Sequence, residues 1–117
     1  MPEHFDSQPL NAMGGSYELT LKGRIYADVA PSLKAELMGL ADKGLKYLVV
    51  SAEALEQIDS SGLNVFVHLL KRVRPLGGKV VFYGLNDNIR RVFEITKLGT
   101  VMGVEELRAD ALGSIEP

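Results

Sequence analysis

The sequence predicts an α/β fold: one domain on a mixed, mainly parallel β-sheet of four to five strands with about four helices. Strand-type apolar runs alternate with stretches of helical period along the chain, which implies parallel strands joined by crossover helices. The length of 117 residues suits one domain. Two runs, KYLVVS (46–51) and KVVFYG (79–84), are apolar almost without break, as strands buried on both faces are.

In chain order, residues 1–9 are polar and proline-containing and are expected as a flexible tail. Gly14 and Gly15 mark a turn. Tyr17, Leu19 and Leu21 then alternate with Glu18, Thr20 and Lys22, the period of a half-buried strand. Leu10 to Met13 is its candidate hairpin partner. Leu33, Leu37, Leu40 and Ala41 fall on one helical face, with Pro31 suited to the first turn and Gly44 to the C-cap. LKYLVVS is the next strand, and Leu63, Phe66, Val67, Leu70 and Val73 or Arg74 form the apolar face of a second helix that stops at Gly77-Gly78. After KVVFYG, Asn86 or Asp87 caps a third helix with Ile89, Val92, Phe93 and Thr96 inward, ended by Gly99. TVMGV is a short strand and EELRADAL a short terminal helix. The domain is expected over 10–112, leaving 113–117 as a C-terminal tail.

Composition narrows the function. The net charge is -2 with both signs interspersed, unlike the basic face that nucleic acid requires. With no Cys there is no disulfide framework and no thiolate metal site. No apolar run is long enough to span a bilayer, and MPEHFDSQPLN does not resemble a signal peptide, so a cytoplasmic location without membrane insertion is expected. Glu53, Glu56 and Asp59 have no His or Cys nearby to complete a transition-metal site and read as a solvated acidic rim. The basic groups Lys71, Arg72, Arg74 and Arg90-Arg91 read as helix surface. LGGKVV lacks phosphate-loop spacing and leads into a strand rather than a helix. No cofactor site is expected.

One stretch needs more explanation: IDSSGLN, Ile58 to Asn64. It joins a strand to a helix, at the sheet edge where ligands and partners of α/β proteins tend to bind. A hydrolase is disfavoured. His68 lies eight residues beyond Ser60 on the same expected helix, about 12 Å along its axis, far beyond the reach of a general base. Nor does the stretch spell a nucleophile elbow. One of the two serines is expected as the helix N-cap. Capping leaves the second serine unexplained, and it leaves Gly62, which weakens a first turn; a small residue there suits close approach by another surface.

From about Tyr17 to Val104 the chain resembles a STAS domain, the sulfate-transporter and anti-sigma-factor-antagonist family. The resemblance rests on LKGRI, KYLVVS, IDSSGLNVFVHLLKRVRPLGGKVVFYGLNDNIRRVFEITKLG and VMGV, in that order. It implies a single STAS domain and a phosphorylation-switched binding protein rather than an enzyme, an anti-sigma factor antagonist of the free-standing type. By the motif, Ser60 is the phosphorylation site, with Asp59, Ser61, Gly62 and Leu63 contacting the partner. The implied partners are an anti-sigma factor that is itself a serine kinase, sequestered while Ser60 is unmodified, and a metal-dependent serine phosphatase that resets Ser60. Where family members often carry an acid after the first-strand glycine, this chain has Gly23-Arg24-Ile25-Tyr26. That difference counts for the alternative: a non-switched STAS scaffold, or an accessory subunit of a signalling complex or membrane transporter.

Overall fold

A computed structural model describes residues 4–10 and 14–116. Its elements are β1 (Phe5–Pro9), β2 (Ser16–Ile25), α1 (Ala30–Asp42), β3 (Tyr47–Ile58), α2 (Ser60–Val73), β4 (Lys79–Tyr83), α3 (Asp87–Thr96), β5 (Gly103–Glu105) and α4 (Arg108–Ile115), with 3-10 turns at Arg74–Leu76 and Leu98–Thr100. The strands lie in the order β1-β2-β3-β4-β5. β1 pairs antiparallel with β2, and every later pair is parallel. The sheet is therefore mixed and mainly parallel, as expected.

This order dictates the layers. Each β-α-β crossover is right-handed by default and steps to the next strand in the same direction, so the crossover helices share one face. Leu33 and Leu37 of α1, Phe66 and Leu69 of α2 and Ile89 and Phe93 of α3 accordingly pack in one core with Leu19, Leu21, Leu48, Val50 and Phe82 of the sheet. Phe82 is its hub, meeting Phe66 and Phe93 edge-to-face at centroid distances of 4.9 and 5.0 Å, the arrangement aromatic pairs prefer. The other face carries a smaller cluster of Val49, Val81 and Tyr83 against Ala111 and Ile115 of α4. KYLVVS and KVVFYG are thus interior strands, apolar toward both layers.

α4 has no side-chain N-cap, and its eight residues are too few to be stable alone. Arg108 holds it to the sheet by a fork onto Glu18, with Nε and Nη2 donating at 2.9 and 2.8 Å. The Tyr83 hydroxyl donates to the same carboxylate at 2.8 Å. The Arg108 hydrogen bond, aided by the one from Tyr83, holds the Glu18 carboxyl below its usual range, although burial pulls it upward.

Several sequence expectations are corrected. The tail expected over 1–9 is partly strand: Phe5 is buried opposite Leu21, while Asp6 and Gln8 are exposed. An edge strand needs only one such apolar anchor, and it tolerates Pro9. This strand takes the place assigned to Leu10–Met13, of which residues 11–13 lie outside the described residues. β3 does not stop at Ser51 but runs to Ile58, because the ten-residue β2 continues to pair with it after β4 ends. Glu53 and Glu56 thus stand on a strand, though exposed as expected. α3 ends at Lys97, with φ +63°, rather than at Gly99, and Thr96 is exposed with its hydroxyl donating to Val92 O at 2.7 Å. α4 extends through Ile115 into the expected C-terminal tail.

Candidate functional site: the N-terminus of α2

β2 and β3 end side by side at Ile25 and Ile58, and Asp59 N–H donates to Ile25 O at 3.2 Å. Here the chain turns from extended backbone into helix. Asp59, at φ -99° and ψ -177°, is the N-cap, and its Oδ1 accepts from Gly62 N–H at 3.0 Å. Its second oxygen accepts from Ala27 N–H at 3.2 Å. One carboxylate therefore closes the helix end and anchors the loop between β2 and α1.

The expectation that a serine caps this helix is corrected: both serines are the first helical residues. Ser60 is exposed, and its hydroxyl makes no hydrogen bond among the described residues. Ser61 is half-buried. With Lys34, Asn64 and His68 it lines a groove of about 360 Å³ between α1 and α2. A second groove of about 200 Å³, beside the end of β3, is lined by Tyr26, Gln57, Ile58 and residues of α3.

Gly62 and Leu63 are placed differently from the reading of IDSSGLN. Both are buried. A Cβ at Gly62 would stand 2.7 Å from Ile58 Cγ1 and 2.8 Å from Ile25 O. The surface that approaches Gly62 is thus the end of this chain's own sheet. Leu63 belongs to the core. The exposed part of the motif is Ser60, flanked by Ser61, the partly exposed Asp59 and Asn64.

Two supports were invisible in the sequence because each joins positions about 31 residues apart. The Tyr26 hydroxyl donates to Gln57 Oε1. Asn86 caps α3 through its Oδ1, accepting from Ile89 N–H at 2.9 Å, while its Nδ2 donates to Leu55 O at 3.1 Å and Glu56 O at 3.2 Å. The asparagine was legible as a cap; its grip on β3 was not. His68 is exposed two turns along α2 from Ser60, so the general-base geometry rejected from spacing is absent here too. Among the described residues no group of three His, Cys, Asp or Glu could hold a metal ion, and no helix is long and apolar enough to cross a membrane.

The profile of the STAS domain matches residues 10–111. The chain belongs to the STAS domain family. It is 32% identical over 90 residues to the anti-sigma-B factor antagonist of Staphylococcus aureus, covering 77% of this chain and 83% of that protein. An anti-sigma factor antagonist from Mycobacterium paratuberculosis has the same fold, with a TM-score of 0.81 at 19% identity over 98% of this chain and 97% of that one. The Bacillus cell fate determinant SpoIIAA, in its phosphorylated form, aligns with a TM-score of 0.71 at 16% identity over 93% and 98% of the two chains. The Staphylococcus aureus relative is thus named for antagonism of an anti-sigma factor, and the solved structures share the fold.

Proposed function

We propose that the protein is an anti-sigma factor antagonist switched by phosphorylation of Ser60. In this reading unmodified Ser60 lies in the surface that sequesters an anti-sigma serine kinase. Phosphate on Ser60 releases the kinase, and a serine phosphatase restores binding. Asp59, Ser61 and Asn64 frame the contact, while Gly62 and Leu63 act from beneath by fixing the helix end.

The observation that carries the reading is the division of labour at the helix start. Asp59 supplies the cap, so the exposed Ser60 hydroxyl is free of structural duty and available to a kinase. A phosphate there would add about -1.5 to -2 charges. The positive end of the α2 dipole tolerates such charge, which leaves the fold intact and confines the effect to the surface. The name of the Staphylococcus aureus relative supports the kind of partner.

The test is phosphorylation by the cognate anti-sigma kinase, with the modified residue mapped by mass spectrometry. Wild type and Ser61→Ala are expected to take one phosphate at Ser60, and Ser60→Ala none. Undiminished phosphorylation of Ser60→Ala would overturn the assignment. Binding of the kinase without any phosphorylation would favour the non-switched scaffold.

A further inference from the structure

We propose that the cavity between α3 and β5 binds a small organic anion with an apolar body. The cavity measures about 360 Å³, within the range of small-molecule sites, and shares no lining residue with the two grooves beside Ser60. Leu85, Phe93 and Val104 give it an apolar wall, with Leu85 and Phe93 almost fully buried. Arg90 and Lys97 bring positive charge, and Glu94 is the one acid on the lining. Among the described residues neither cation forms an ion pair. The site therefore offers a planar or branched apolar body a wall to lie on, and it offers a carboxylate, sulfonate or phosphate an ammonium and a guanidinium fork.

A second observation points to the same ligand chemistry. Lys97 is the one non-glycine residue with positive φ among the described residues, at +63°. It stands where α3 ends, a position glycine usually fills because a side chain there is strained. Lysine charge near a helix C-terminus is favourable, but any position in the last turn would provide it without the strain. Strained side chains cluster at ligand sites, and this one lines the cavity.

The experiment is an amide NMR titration of the intact protein with anilinonaphthalene sulfonate, beside phenylnaphthylamine, which has the same rings without the sulfonate. The sulfonate is expected to shift the amides of Leu85, Phe93, Gly99 and Val104 saturably and to bind about fivefold more tightly than the neutral probe. Lys97→Gln and Arg90→Gln should each weaken the sulfonate about fivefold and leave the neutral probe unchanged. Lys97→Gly should keep or raise the melting temperature yet weaken the sulfonate as Lys97→Gln does, an effect that a purely structural lysine would not show. Shifts scattered over the surface, equal affinity for the two probes, or unchanged sulfonate affinity in Lys97→Gln would overturn the site.

Discussion

Asp59 holds two elements with one side chain, and its removal separates structural from functional roles at the site. Asp59→Ala loses the bond to Gly62 N–H and the bond to Ala27 N–H. A cap contributes about 1 kcal/mol, and a further hydrogen bond to a charged group a similar amount or more. Urea unfolding should therefore show a loss of about 2 kcal/mol, with Asp59→Asn losing less because asparagine also caps well. A loss below about 0.5 kcal/mol would contradict the double role. Gly62→Ala is decided by sign. Helix propensity alone predicts a gain of up to about 1 kcal/mol. The 2.7 and 2.8 Å approaches to Ile58 and Ile25 instead predict an overpacking loss of about 1–3 kcal/mol. A more stable variant would refute the packing explanation. The sequence shows that a glycine stands in a first turn; it cannot show what packs against it. The expectation of a serine cap failed because aspartate and serine cap about equally well, so the residue types alone do not decide between Asp59 and its two neighbours. The extension of β3 to Ile58 made the choice.

Among the elements, those with a strong apolar period were legible and those that depend on a distant partner were not. α1, α2, α3 and the two interior strands announce themselves through repeating Leu, Ile, Val and Phe. β1 has one buried apolar residue, and the end of β3 owes its existence to the length of β2. α4 is the shortest α-helix among the described residues and has no side-chain cap; besides the packing of Ala111 and Ile115, it is held at its N-terminus by Arg108 on Glu18. Glu18 is held below its usual value of 4.5 chiefly by the Arg108 hydrogen bond. The folded value is thus lower than the unfolded one. The resulting stability is fully present above the unfolded pKa and disappears as pH falls through the folded value. Arg108 is half exposed, so the contribution at neutral pH is up to about 1 kcal/mol. Arg108→Ala should speed amide exchange in α4, and its difference in stability from wild type should shrink as pH falls below about 4.5. A difference independent of pH would contradict the Glu18 latch.

For the molecule as a whole, the sequential strand order gathers three helices on one face and brings the ends of β2 and β3 together under the start of α2. The mainly parallel sheet with crossover helices followed from the alternation of strand and helix patterns, whereas the sequential strand order came only with the structure. The position of Ser60 at a strand-to-helix junction followed from the same alternation. The depth of Gly62 and Leu63 did not, because burial at a helix end depends on how far the neighbouring strands run. Ser60 stands exposed at a helix N-terminus; under the proposed switch the helix dipole would favour a phosphate there, but a closely packed partner would have to desolvate it or meet it with cations. Uncompensated charge at an interface costs about 2–5 kcal/mol, equivalent to roughly thirty- to several-thousand-fold in affinity. Calorimetric titration of the cognate anti-sigma kinase with unmodified, phosphorylated and Ser60→Ala protein measures this directly. The unmodified and Ser60→Ala forms should bind alike, and the phosphorylated form should bind weaker by that factor while melting at nearly the same temperature. Equal affinity of the phosphorylated and unmodified proteins would contradict the switch.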